Sequence, residues 1–477
     1  MRIVFFANHF ITEFFHAVAL RLQKRGHEIF WITSGNIWAN WLRHHGVANS
    51  NLLDLSAFGP QWAKKKSLAP EDELELRRLE GESGLTINNL IMMDRLLSAK
   101  PHAYARSCLA VAGREIRRFL LEKQIEVLFS EATWALELLA ISICRQLGGR
   151  NYCPATVRIP SGRFGFFEGY TQSSLVYLRE PNDADIKEAE KFYDYFLDRS
   201  PRPSYMRVSA APPRVHLDWS KKLFTNLRRK HRDPFDEMQP PPAYLVRRRW
   251  SAVWNKWRLS LTRPFEDVTF PPSRPYVLTT LHQQPEASID ILGSYFSNQC
   301  EYIRTLARCL PATHELYVKE HLVCIGARPP EFYRLLSRIP AVRLLSPYAD
   351  NNELIRHANL VVAVSGTAAY EAALYGIPAM TVAPMYFGRI LTRNGINPYR
   401  ESFAEIFSLL AGNGDRRNAE EIRHTNIDFL AWVIAQSFAG IISDPRHEAD
   451  CMTTANLDAV AEAMDIVIQR QSIETVR

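Results

Sequence analysis

From Pro275 to Ala383 the chain repeats one cadence. Short apolar runs ("PYVLTT", "HELYVKEH", "VRLLSP", "LVVAVS", "PAMTVA") alternate with stretches of helical periodicity ("QCEYIRTLARCL", "PEFYRLLSRI", "NNELIRHA", "TAAYEAALYG"). Short runs with apolar centres, each followed by a helix, read as strands of a parallel sheet covered on both faces. The cadence predicts a doubly wound domain, in which ligands sit outside the carboxyl ends of the strands.

The first 160 residues repeat the pattern less regularly. "RIVFFA" leads into "ITEFFHAVALRLQKRG", where Phe14, Val18 and Leu22 share a helical face and Gly26 ends the helix. "HEIFWIT" is the next strand, and "IEVLFS" leads into "EATWALELLAISICRQLGG". Between Ala69 and Lys123 the pattern is mostly helical. From Pro154 to Phe270 the regularity is lost among proline clusters, so that stretch reads as insertion and linker. The expected organisation is a first Rossmann-like domain (1–160), an irregular basic insertion (161–270), a second Rossmann-like domain (271–410) and C-terminal helices (411–477). Two doubly wound domains facing a cleft, with a helical and basic insertion between them, make an α/β fold of the GT-B-like type.

Charge is concentrated in the insertion. Between Lys221 and Arg263 there are 12 Lys and Arg against Asp233, Asp236 and Glu237, an excess of 12 − 3 = +9, whereas the whole chain of 477 residues carries +7. A nucleic-acid enzyme would spread such charge along a groove, so nucleic acid is not an expected partner. Within that segment Trp250, Trp254, Trp257 and Leu261 fall at helical spacing, with Arg247, Arg248, Lys256 and Arg258 largely off the stripe. Tryptophan and basic residues together suit an anionic membrane surface, although an aromatic stripe is commonly core. No run approaches the ~18 apolar residues of a membrane span. The amino end reads as a strand rather than a signal peptide, and seven scattered cysteines without metal spacing suit a reducing cytoplasm. A cytoplasmic protein, peripheral on the inner face of the membrane, is expected.

The candidate chemistry lies at strand ends. After "LVVAVS", the amides around Ser365, Gly366 and Thr367 begin a helix, and such donors favour a phosphate. On sequence alone an N-cap by Ser365 or Thr367 is the plainer reading. Glu371 lies one turn further on the same helical face, among small apolar neighbours where a carboxylate needs a partner. Lys319 and His321 alternate to one side of a strand end, where a cation and an imidazole offset charge on a departing nucleotide. His282 and Glu286 follow the domain's first strand and are catalytic candidates, the bland readings being a structural histidine and a helix-start acid. In the first domain Glu131 follows "IEVLFS" as a candidate general base for an acceptor hydroxyl. A plain helix-start acid stands beside that reading. Asn8 and His9, ending the first strand, are candidate acceptor contacts. No Asp-x-Asp ends a strand and no His/Cys cluster has ligand spacing, so no metal is expected. The absence of Gly-x-Gly-x-x-Gly after the first strand speaks against a nicotinamide enzyme.

Four segments, "LHQQPEAS", "LYVKEH", "GARPPEFYRLLSRIPAVRLLSP" and "AVSGTAAYEAALYGIPAM", resemble in order and spacing the capsular or surface polysaccharide biosynthesis family. These are GT-B-like bacterial proteins that include Kdo transferases. Leu322 stands where the family pattern has proline. The resemblance implies that Ser365, Gly366 and Thr367 meet phosphate and that Glu371 meets ribose. The Lys-x-His segment is also similar to that of GT-B sialyltransferases, in which the histidine meets the phosphate of a CMP-sugar, which implies a CMP-linked donor such as CMP-Kdo. The expected activity is metal-independent glycosyl transfer to a capsular or surface polysaccharide or its lipid-linked primer, with the nucleotide-sugar as substrate and no cofactor. Other capsule-assembly proteins are conceivable partners. A nucleotide-sugar epimerase and a non-catalytic polysaccharide assembly or export factor are the alternatives.

Overall fold

The computed structural model describes residues 1–63, 68–83, 85–199, 227, 233–395, 406, 408, 410 and 418–474. The first sheet takes β1 (Arg2–Ala7), β2 (Glu28–Thr33), β3 (Leu52–Asp54), β4 (Val127–Phe129), β5 (Arg150–Thr156), β6 (Arg163–Phe167) and β13 (Phe438–Ala439). The second takes β7 (Tyr276–Thr280), β8 (Glu315–Lys319), β9 (Val342–Leu345), β10 (Leu360–Ala363), β11 (Ala379–Thr381) and β12 (Arg393–Asn394).

Strand order in the first sheet is β13-β6-β5-β4-β1-β2-β3, parallel from β5 to β3 and antiparallel at β5–β6 and β6–β13. The second sheet is parallel throughout, in the order β12-β11-β10-β7-β8-β9. β1 shows why its run is apolar from Ile3 onward: Val4 and Phe6 pack on one face of the sheet, and Ile3 and Phe5 on the other. The architecture is GT-B-like, two doubly wound domains facing a cleft.

Helices bind the two domains together. One apolar cluster runs unbroken from Val4 and Phe6 of the first sheet, through Tyr370 and Phe387, to Tyr276 and Leu278 of the second. Tyr193, on helix Asp183–Arg199, donates its hydroxyl to the Leu374 carbonyl (3.0 Å), and Asn426 Nδ2, on helix Ala419–Ala435, donates to that of Ala373 (3.1 Å). The last helix, Thr454–Glu474, returns to the first domain, packing Val460, Met464 and Val467 against Phe14 and Val18.

The stretch expected as irregular insertion after residue 160 differs in two places. β6 lies inside it and extends the first sheet. Pro154, where the regular pattern was read as ending, lies within β5 but beyond Tyr152, the last β5 residue facing β4, so its missing N–H breaks no bond on that side. Residues 233–238 are seated in the first domain: Ser34 Oγ donates to Asp236 Oδ1 (3.0 Å), and Asn36 N donates to Asp233. Gly35 leaves room for this contact, since a Cβ there would lie 2.3 Å from Asp236 Oδ2. Part of the basic run, residues 221–226 and 228–232, lies outside the described residues.

The tryptophan stripe lies on helix Pro242–Thr262. Its inner side faces the second domain: Asn255 Nδ2 donates to the Gly326 carbonyl (3.1 Å), Leu259 is buried, and the Lys256 stem lies against Gly326. Trp250, Trp254 and Trp257 point outward, 69%, 57% and 53% exposed, with Val253 and Leu261 exposed beside them. The core reading of the stripe therefore does not hold. The expected cationic side is reduced as well: Arg258 pairs with Glu331, and Lys256 is turned inward, leaving Arg247 and Arg248 exposed at the start of the helix.

Candidate functional site

Each sheet has a switch point where the strand order reverses, between β1 and β4 in the first and between β7 and β10 in the second. Chains leaving neighbouring strands there diverge to opposite faces and open a crevice. The sequence candidates gather at these two crevices.

At the first, Asn8 and His9 leave β1 and Glu131 leaves β4. His9 and Ala132 have left-handed backbones (φ 47 and 57), sparsely populated for non-glycine residues, so both strands turn sharply at this edge. Asn8 Nδ2 donates to Thr133 Oγ1 and Glu137 Oε1, both at 3.1 Å. Its Oδ1 is buried without a partner among the described residues. Glu137 is fully buried and receives the amides of Thr133 (2.6 Å) and Trp134 (3.1 Å), fixing the turn that carries Glu131. Burial first, and then the nearby Glu137 and Asp444 carboxylates, push the Glu131 carboxyl up to about 8, with Arg95 opposing.

Asn8, His9 and Glu131 line a cavity of about 710 Å³. Glu286 of the second domain lines it too, as does the C-terminal loop 440–448. Glu286 is open to the cavity, and its carboxyl is nevertheless raised, first by loss of water and against a hydrogen bond from Ser288 Oγ (3.0 Å). The cleft between the domains is thus a shared space with a carboxyl group from each side.

At the second crevice, β10 ends in Ser365 and Gly366, and helix Thr367–Leu374 begins. Gly366 is the N-cap, and no side chain caps the helix. The N-cap reading of Ser365 and Thr367 is therefore not what forms. Ser365 Oγ donates instead to the Ser288 carbonyl (2.7 Å), tying the turn to the segment that carries Glu286. His282, leaving β7, turns its ring to the same joint, 3.5 Å from where a Gly366 Cβ would stand. It is 8% exposed, and its Nε2 lacks a partner among the described residues. Burial, with Arg158, His321 and Arg328 nearby, lowers its pKa to about 3, so the ring is neutral.

His321 follows Lys319 off β8. Its Nδ1 is likewise buried without a partner among the described residues, and its pKa is lowered, chiefly by burial. Glu320 points the other way, paired with Arg328 and accepting from Tyr333 (2.7 Å), as strand alternation requires. With Leu322 in place of proline, the chain is extended at His321 and enters a 3-10 turn at Leu322. Glu371 is buried, with Asn351 Nδ2 donating to its Oε2 (3.2 Å).

The candidates thus form two groups. Asn8, His9, Glu131 and Glu286 share the cavity, while His282, Ser365 and Gly366 meet at the helix start, with His321 an electrostatic neighbour of His282. His282, a catalytic candidate together with Glu131 and Glu286, does not line the cavity that those two share. Sequence reasoning missed Arg158. From a left-handed position (φ 63) after β5, it donates to the Ser365 carbonyl (2.5 Å) and to Gln172 Oε1 (3.0 Å), so a first-domain cation stands at the second-domain turn. Arg95 was missed as well. Neither arginine lies in a motif. Among the described residues no group of three or more His, Cys, Asp or Glu is placed to hold a metal ion, and no helix is long and apolar enough to cross a membrane.

No family model matches the chain, and no curated protein does. Several solved structures are similar to it. A putative UDP-N-acetylglucosamine 2-epimerase from Listeria monocytogenes covers 91% of this chain and 94% of its own at 11% identity, with a TM-score of 0.26. Thermosulfurimonas dismutans KpsC, a beta Kdo 2,4 transferase, covers 65% of this chain and 79% of its own at 12% identity, with a TM-score of 0.35. CalG4, the calicheamicin glycosyltransferase, covers 90% and 94% at 14% identity, with a TM-score of 0.28. Likenesses this loose carry no argument about activity.

Proposed function

We infer that the chain is a glycosyltransferase that binds a nucleotide-sugar at the β10 turn and an acceptor in the interdomain cavity. The observation that carries this reading is the meeting at the β10 turn of His282, whose ring lies against Gly366, and Arg158, which donates to the Ser365 carbonyl, with the His321 charge acting on His282. Two neutral imidazoles with unpartnered ring nitrogens, a guanidinium and an uncapped helix start suit a phosphate. Ser365 and Thr367 supply hydroxyls beside it, Lys319 adds charge, and Glu371 is placed one turn on for ribose. A histidine with a pKa near 3 is a poor base at neutral pH. His282 therefore belongs with the donor phosphate, and Glu131 is the stronger candidate for the acceptor hydroxyl. In its finest form the reading is transfer from a CMP-linked sugar such as CMP-Kdo to a surface polysaccharide or its lipid-linked primer, at the cytoplasmic face of a membrane.

A thermal-shift panel of CMP, UDP, GDP and their sugars tests it. A nucleotide at 100 times its dissociation constant stabilises by about 2.7 kcal/mol, and no response to any of them would overturn the reading. Glu371→Gln keeps the shape and its contact with Asn351 but loses the charged acceptor. Hydrogen bonds to charged groups contribute ~1.5–3 kcal/mol, so calorimetry should show nucleotide affinity lower by about 10- to 100-fold. His321→Ala should weaken the nucleotide too, with Michaelis constants for the acceptor unmoved. Conversion of a free nucleotide-sugar without acceptor would favour the epimerase. Tight binding without turnover would favour the assembly factor.

A further inference from the structure

Arg95 lines the interdomain cavity with its guanidinium carbon 5.0 Å from the Trp134 ring centroid. It makes no hydrogen bond and no ion pair within 4.0 Å among the described residues; the Glu131, Glu286 and Asp290 carboxyls feel its charge without bonding it, so its N–H donors remain unused by the protein. Its backbone is nonetheless held. The buried Asp94 carboxylate receives the amides of Leu96 and Leu97, both at 2.8 Å, and of Ala135 at 3.0 Å, clamping this loop to the start of helix Ala135–Gln146. A fixed loop presenting an unpaired guanidinium is a preorganised anion receptor.

Asn8 supplies the complement. It is 1% exposed, both its donor bonds are committed to Thr133 and Glu137, and its Oδ1 has no partner among the described residues. That oxygen accepts, so what it lacks is a donor, which a sugar hydroxyl can supply. One cavity therefore holds a cation short of an oxyanion and a buried acceptor short of an O–H. We propose that the interdomain cavity binds an acidic sugar, a ring bearing a carboxylate or phosphate, with the oxyanion on Arg95 and a hydroxyl on Asn8. This rests on reading the cavity as an acceptor site. Glu131 does not cancel Arg95, because a carboxyl raised to about 8 is largely protonated at neutral pH. Asp444 and Glu448 line the same cavity from the C-terminal loop and Glu286 from the second domain, so an anion is tolerated only where it bonds Arg95 directly.

The test is binding without turnover, on the full chain, by ligand-observed NMR. The probes are methyl β-D-glucuronide, D-glucose 1-phosphate and neutral methyl β-D-glucoside. At least one oxyanion probe should bind at least about tenfold more tightly than the glucoside. Arg95→Gln should weaken that probe by about 10- to 100-fold and leave the glucoside and the nucleotide unchanged. Arg95→Lys, which keeps the charge without the fork, should recover part of the loss and serves if the glutamine variant does not fold. A response to the glucuronide alone identifies a sugar carboxylate, and one to glucose 1-phosphate alone a phosphate. Equal binding of all three probes, binding of none, or insensitivity to both Arg95 variants overturns the proposal. Nucleotide response on the same samples separates the two readings: its loss with oxyanion binding intact counts against the transferase and leaves this site standing.

Discussion

Glu131→Gln lowers glycosyl transfer by about 10²–10⁴-fold, the usual contribution of a positioned general base, and leaves the nucleotide dissociation constant where it was. The variant keeps the size of the side chain and removes only the ability to take a proton. The pH profile carries the stronger test. The base acts when ionised, and a carboxyl raised to about 8 is only about one tenth ionised at pH 7. The rate at low acceptor concentration should therefore climb about tenfold per unit below pH 8 and level off above it. A general acid at the same position would give the opposite slope. Asp444 is among the charges that raise Glu131, so Asp444→Asn should move the midpoint to lower pH without abolishing transfer. Full activity in Glu131→Gln would shift the role to Glu286, which faces the same cavity.

What could be read in advance was the local chemistry. Runs such as "LVVAVS" and "RIVFFA" declare buried strands because both their faces must be apolar. The joint at Ser365–Thr367 was legible because a glycine between hydroxyl residues marks the start of the helix. The order of the strands was not legible, and it builds both crevices. Asn8 reaches Thr133, 125 residues away, only because β1 and β4 are neighbours, and His282 meets Gly366 only because β7 and β10 are. Such pairings are set by long-range packing that no local period encodes. Arg95 and Arg158 were invisible for the same reason. Each is a loop arginine without a motif, and its value comes from what the fold places opposite it. The tryptophan stripe was legible as a stripe but not as exposed, since helical spacing is the same whether a face meets core or solvent.

That exposure carries the last prediction. On helix Pro242–Thr262, the Trp254 and Trp257 ring centroids lie 4.9 Å apart with the rings tilted by 33°, and Trp250, Val253 and Leu261 extend the apolar strip along the outer side. Isolated surface apolar residues need no explanation, but a contiguous strip of this kind does. Arg247 and Arg248 begin it, so the matching surface is apolar beneath and anionic above, which describes a bilayer of acidic lipid. Fully burying a large apolar side chain stabilises by ~1.5–3 kcal/mol, and interfacial tryptophans realise part of that. Changing Trp250, Trp254 and Trp257 together to Ser should thus lower partitioning onto anionic vesicles by about 10²–10³-fold in a flotation assay. The variant should keep its fold and its nucleotide response, since the inner face of the helix, Asn255 and Leu259, is untouched. Arg247 and Arg248 contribute about 1 kcal/mol each near anionic lipid, so the double alanine variant should lose about 10- to 30-fold. High salt should release the wild type by screening those charges. The two sets of variants separate hydrophobic insertion from electrostatic attraction, which a single tryptophan change would leave mixed. Wild-type protein that ignores anionic vesicles at low salt would leave the strip to some other partner and remove the membrane from the proposed function, with the nucleotide site and the cavity unaffected.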